Sequence, residues 1–156
     1  MEDSIDLVST TEISMEERSS DPVLADIRSH WHWVRPALED IINESPFMDL
    51  IPEDIYSACK AEDAHLWVTD DGFVVTTVSL EAHTGVRSLL LWFAFAKQRG
   101  GEEAVEHCAF FEQVARDIGA KYVETKTSTL EVANYLQQKV DWELEFLTLK
   151  KDVTNG

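Results

Sequence analysis

Positive charge is what this chain has least of. Its 156 residues carry 13 Lys and Arg against 30 Asp and Glu, for a formal net charge of −17 at pH 7. So few bases leave no surface to replace counterions on a phosphate backbone, which argues against nucleic acid as a direct ligand. The imbalance favours solubility through self-repulsion, a basic partner, or mimicry of a nucleic acid. Cysteine is nearly missing too: Cys59 and Cys108 are the only two. Both fall on apolar faces of predicted helices and read as small buried hydrophobes in a reducing compartment, not as a disulfide. No apolar run is long enough to span a bilayer. The opening Met1-Glu-Asp-Ser-Ile-Asp6 is acidic where a secretory leader would be basic and then apolar. These absences predict a soluble, intracellular protein with no membrane partner.

What is present suffices for one folded domain. Hydrophobic residues make up 44% of the chain, with five tryptophans among them, enough for a real core at this length. The chain is organised around residues 88–126. There a short apolar run from Leu89 to Phe95 has the length of a buried strand, and Lys97-Gln-Arg-Gly-Gly101 interrupts it. The period then turns helical, with Ala104, Val105, Cys108, Phe111, Ala115 and Ile118 on one broad face. Gly119 stands where a helix C′ glycine belongs, and 120–126 resumes as a strand. A glycine pair at a helix N-terminus leaves backbone N–H groups aimed outward beside the positive end of the dipole, a setting suited to an anion.

The remaining segments fall in around this unit. Residues 1–21 are acidic, lack any period and read as a mobile tail. A strand is expected at 23–27. A helix follows, with Val34, Leu38, Ile41 and Ile42 as its buried stripe; Pro36 is best tolerated in a first turn, which predicts a start near residues 33–35. His30 and His32 would then share one face of an extended segment, but no third ligand completes a metal site. Pro52 opens a second helix through Lys60. Residues 64–68 and 73–78 flank Asp71-Gly72, a strong hairpin signal. Ser128 or Thr129 caps a helix over 130–139, residues 142–150 alternate as a final strand, and 152–156 fray. The expected order is β-α-α-β-β-β-α-β-α-β: a single mixed α/β (α+β) domain over 22–151.

That order, with a glycine turn between the fourth strand and third helix, resembles the GCN5-related N-acetyltransferase (GNAT) fold. More narrowly, the chain is similar to GNAT-like proteins encoded beside virion-assembly genes in tailed bacteriophages. The residues that carry the resemblance are Trp33-Val-Arg-Pro-Ala-Leu-Glu39, Pro52-Glu-Asp-Ile-Tyr56, Ala64-His-Leu-Trp-Val68, Leu91-Trp-Phe-Ala-Phe95, 111–121 and Trp142. The resemblance implies that the fourth strand splays from the fifth and holds the pantetheine arm of acetyl-CoA, placing Leu91, Phe93 and Phe95 at the cofactor. It implies that a Gln/Arg-x-x-Gly-x-Gly/Ala turn wraps the pyrophosphate. Gln98, Arg99, Gly100 and Gly101 match its first half, Glu103 replaces the last small residue, and Ala104 follows. The tyrosine that such enzymes use as an acid aligns with Gln137, and Tyr135 lies about 200° around the helix from it. Tyr135 is the candidate acid, and Glu81, His83 and Glu124 are candidate bases. The implied partners are a basic amine or protein acceptor if the chain is an enzyme. Otherwise they are phage structural or assembly proteins, met in the cytoplasm of the infected host or on the virion.

Overall fold

The structure, a computed structural model, describes residues 21–97 and 102–154. The acidic tail, apart from Asp21, and the Gln98-Arg-Gly-Gly101 turn lie outside them. Five strands form one sheet in sequence order: β1 (Val23–Ala25), β2 (Ala64–Val68), β3 (Gly72–Leu80), β4 (Arg87–Ala96) and β5 (Tyr122–Thr125). The first three pairings are antiparallel, and β4 with β5 is parallel. Helices α1 (Ile27–Glu44) and α2 (Pro52–Lys60) cover one face, and α3 (Glu102–Asp117) covers the other. Helix α4 (Leu130–Lys139) follows β5.

Helix α1 begins earlier than Pro36 suggests. Asp26 follows β1 directly and caps the helix, its carboxylate accepting from the Arg28 N–H at 2.9 Å while the Arg28 guanidinium grips both oxygens. These hydrogen bonds hold the Asp26 carboxyl down at about 2. An interior proline costs roughly 3 kcal/mol in lost bonding and clash. Ile27 and Val34, both buried ahead of it, each return about 1.5–3 kcal/mol. Trp31 and Trp33 add ring contacts to Tyr56 and Phe73, at 4.9 and 5.8 Å between centroids. Burial wins, and the helix runs through the proline. His30 and His32 are therefore helical and point apart, and His30 Nδ1 accepts from Trp33 Nε1 at 3.1 Å.

Two apolar layers sandwich the sheet. On one side Val34, Leu38 and Ile55 meet Leu66, Phe73, Val75 and Phe93. On the other Phe111 and Ala115 of α3 meet Val74 and Leu89, with Trp67 edge-on to Phe110 and Phe111. Val105, expected on the inner face of α3, is exposed, whereas Cys108 is buried as expected. Gly119 closes α3 at φ 76°, with the Ala120 N–H donating to the Ala115 carbonyl at 2.8 Å.

The expected last strand does not form. Residues 141–150 are irregular, and Leu144, Phe146, Leu147 and Leu149 are exposed. Alternation makes a segment fit for a strand, but the strand exists only where a free edge takes its backbone bonds. Here Trp142 is tied elsewhere: its N–H donates to the Leu136 carbonyl and its Nε1–H to Glu112, both at 3.1 Å. Asp141, just before it, is left-handed at φ 65°. This is a helix C′ position, where glycine carries no steric penalty. Asp141→Gly should raise unfolding stability by about 0.5–1 kcal/mol, part of the left-handed penalty being offset by the freer unfolded chain. Urea unfolding at constant m-value checks it, and a loss of stability would contradict the reading.

Candidate active site

Strand β5 ends before β4 does. Their ladder runs from Ser88↔Tyr122 to Leu91↔Thr125 and stops there, while β4 continues to Ala96. The Thr125 hydroxyl donates to the Leu91 carbonyl at 3.0 Å and closes the last rung. Beyond it, residues 92–96 have β3 on one side and, among the described residues, no strand on the other. The backbone groups aimed at that side have no ladder partner, so an extended amide-bearing ligand could take a strand's place.

A bulge marks the same point. Val75 pairs with Phe93 and Thr76 with Leu91, so Trp92 is an extra residue in β4. One inserted residue reverses which face each later side chain takes. Leu89 and Leu91 thus pack towards α3, whereas Trp92, Phe93 and Phe95 pack towards α1 and α2. Phe93 is buried, and Phe95 stacks on Phe73 at 5.7 Å. Ala94 and Ala96 fall on the α3 side and are exposed, so β4 itself puts nothing larger than a methyl on that surface. The chain then passes through 98–101 into α3, whose first turn holds the half-buried Ala104.

The candidate acid–base residues are not gathered together. Glu124 stands opposite Leu90, one rung before the opening. Its neighbour Val123 packs towards α3, so Glu124 faces the α1–α2 side, half-buried. Glu81 and His83 lie in the β3–β4 loop, beyond the Leu80↔Arg87 pair. From Arg87 to Leu91 a strand climbs about 13 Å, so these two sit at the far end of β4. There Glu81 accepts the His83 and Thr84 N–H groups at 2.6 and 3.2 Å and organises the loop. Tyr135 is half-buried beside Cys108, and burial first, then the Cys108 thiol, pushes its hydroxyl pKa up. It is a phenol that stays protonated at neutral pH. Gln137, its neighbour in α4, is exposed. Cys108 itself is pushed up to about 11 by burial and Glu112, and Cys59 to about 11 by burial, so neither thiol is a ready nucleophile. Both are free of a disulfide.

Among the described residues no group of three or more His, Cys, Asp or Glu converges as a metal site, and no helix is long and apolar enough to cross a membrane. Sequence reasoning missed the bulge at Trp92 and the hydroxyl of Thr125. An apolar run with no glycine or proline gives no sign of the first, and a threonine in a strand gives none of the second.

No protein-family model matches the chain, and no curated protein matches it in sequence. Solved structures do. A probable acetyltransferase superposes with a TM-score of 0.63 at 14% identity, covering 85% of this chain and 98% of the other. A ribosomal-protein-alanine N-acetyltransferase from Brucella melitensis biovar Abortus gives 0.62 at 13%, covering 85% and 97%. An aminoglycoside acetyltransferase from a soil metagenomic sample, solved with sisomicin, gives 0.56 at 9%, covering 81% and 90%. At such identities likeness speaks for architecture alone, and together with the mixed five-stranded sheet it gives this chain a GNAT-like fold.

Proposed function

We propose that this chain is an acetyl-CoA-dependent N-acyltransferase acting on an amine. The observation that carries the reading is that β5 ends at Thr125, opposite Leu91, while β4 runs on beyond it through a bulge to the turn into α3. Residues 92–96 offer backbone pairing to an extended pantetheine, and the two exposed alanines leave room beside them. Gln98 to Gly101 and the start of α3 are the proposed pyrophosphate cradle. Bound acetyl-CoA would supply an acyl thioester activated towards amines. Glu124 would take the ammonium proton from the acceptor on the α1–α2 side. Tyr135 is the proposed donor to the departing thiolate, because a protonated phenol is what that step needs. The acidic surface suits a cationic acceptor, a basic amine or protein.

Acetyl-CoA titration tests this directly. Trp92 lies at the bulge, half-buried, so its fluorescence should change saturably, and Trp92→Phe should remove most of that signal. At a ligand concentration of 100 Kd, binding adds about 2.7 kcal/mol of stability, a rise of roughly 5–10 °C in Tm for a domain of this size. Unchanged fluorescence and an unchanged Tm at millimolar acetyl-CoA would rule the reading out.

A second reading keeps the fold as a scaffold in the assembly of a tailed-phage head or tail. It is favoured by Glu102 and Glu103, two carboxylates where the phosphate-wrapping pattern ends in a small residue. At 6–8 Å and an effective dielectric of 20, each carboxylate–phosphate pair costs roughly 2–3 kcal/mol before screening. Co-purification with assembly intermediates, together with silence towards acetyl-CoA, would select this reading.

A further inference from the structure

The sheet face that α3 packs against is only partly covered. Val74 and Leu89 pack towards α3. By strand alternation and register, Val78 and Leu80 of β3, His65 of β2 and Arg87 of β4 therefore face the same side. Helix α3 ends at Asp117, and past its end Val78 and Leu80 are 47% and 61% exposed. With Ile118, Glu62 and Asp63 these residues line a groove of about 430 Å³, a size at which clefts take ligands. Its floor is apolar and its rim is charged, but the charges are not equivalent. The Arg87 guanidinium is turned onto the end of α3, Nη1 donating to the Ile118 carbonyl at 3.1 Å, where a cation answers the negative end of the helix dipole. At the other wall the turn after α2 is pinned. The Glu62 and Asp63 N–H groups donate to the Cys59 and Ala58 carbonyls at 3.1 and 2.9 Å, and the Thr77 hydroxyl donates to the Asp63 carbonyl at 2.8 Å. The carboxylates of Glu62 and Asp63 are exposed and have no ion pair or hydrogen bond among the described residues. Glu62 stands at φ 64°, a helix C′ position that glycine fills without penalty, so a carboxylate there does nothing for the turn itself.

We infer that this groove docks a basic segment of a partner protein, the stem of a Lys or Arg lying along Val78 and Leu80 and its charged head reaching Glu62 and Asp63. Such side chains join an apolar stem to a cation, which is the pairing that floor and rim together offer. Charge selects the occupant. A second copy brings −17, and residues 1–21 bring seven acids against one base, so the rim repels both and attracts a cationic chain. The inference does not depend on acyl transfer. The groove lies beside the Leu80↔Arg87 pair, at the end of β4 away from Leu91 and the end of the β5 ladder.

Fluorescence anisotropy of a short labelled peptide of Lys, Leu and Ala, titrated with the full chain, tests this; the same peptide with Glu for Lys is the comparison. Saturable binding of the Lys peptide is expected. It should weaken several-fold as NaCl rises, because salt screens both the contacts at the rim and the longer-range attraction of the acidic chain. Reversing the rim in Glu62→Lys/Asp63→Lys should weaken binding roughly tenfold or more. Leu80→Ser, which shortens the floor without changing charge, should weaken it about fivefold. The same charge change on the opposite side of the sheet, Asp40→Lys/Glu44→Lys at exposed positions of α1, should weaken it about twofold at most. All these side chains are exposed, and an unchanged circular dichroism spectrum checks that each variant is folded. No binding of the Lys peptide at millimolar protein overturns the inference. Equal losses in the two double variants would also overturn it, since the acidic surface as a whole would then be the attractant. A Glu peptide that binds as tightly, or a Leu80→Ser variant that binds as the unchanged chain does, would do the same.

Discussion

Gly72→Ala should destabilise the protein by about 3 kcal/mol, the upper end of what overpacking usually costs. A Cβ on Gly72 would stand 1.8 Å from the Phe95 carbonyl oxygen and 2.7 Å from its carbon. Both atoms are backbone, so no side-chain rotation relieves the clash, and β3 and β4 have to separate. The hairpin tightens the constraint from the other side. The Thr69 N–H donates to the Gly72 carbonyl and the Lys97 N–H to the Asp71 carbonyl, both at 2.9 Å. Gly72 is thus held between the β2–β3 turn and the end of β4. For a domain of this size the change corresponds to a fall in Tm of roughly 6–12 °C. Denaturant unfolding with an unchanged m-value is the measurement, and a loss below about 0.5 kcal/mol would show that the strands part without strain. If the chain binds acetyl-CoA as proposed, the variant should also bind it more weakly wherever it remains folded, because β4 leads from this contact into residues 98–101.

How far the sequence reaches depends on whether a signal is local. The β2–β3 hairpin was legible because Asp71-Gly72 states its own turn, and α2 because Pro52 and the acids after it state a helix start. In α2 the Asp54 carboxylate accepts the Ile51 N–H at 3.0 Å, as an acid in a first turn should. Pro36 misleads for the same reason: its local cost is real, and only the burial of Ile27 and Val34 outweighs it. Residues 142–150 mislead differently. Their alternation is genuine, but pairing depends on an edge that no short window contains. The end of the β4–β5 ladder at Leu91 falls in the stretch where the resemblance expects a splay, whereas the bulge beside it had no signal, since 89–95 is apolar on both faces and hides any change of side. Glu81 and Glu124 look alike as carboxylates beside strands. Topology separates them, placing one at the far end of β4 and the other a rung from the opening.

That separation sets up the largest expected effect on activity. If the chain transfers an acyl group, Glu124→Gln should lower kcat/KM for the amine by about 10²–10⁴, the usual contribution of a positioned base. Affinity for acetyl-CoA should hardly change, because Glu124 faces the α1–α2 side while the exposed alanines lie towards α3. The deficit should shrink as pH rises towards the amine's own pKa, where solvent has already removed the proton that the carboxylate would take. Glu81→Gln, at the opposite end of β4, should leave the rate within a factor of two. Tyr135→Phe removes the donor and not the base, so its deficit should persist at high pH. Three pH–rate profiles therefore tell a base from an acid and both from a bystander. Equal losses in the Glu124 and Glu81 variants, or a Glu124 variant retaining more than half its activity, would remove the opening between β4 and β5 as the place where the proton moves. A pH-independent deficit in Glu124→Gln would make that carboxylate a positioning group, since a base matters only while the amine still holds its proton.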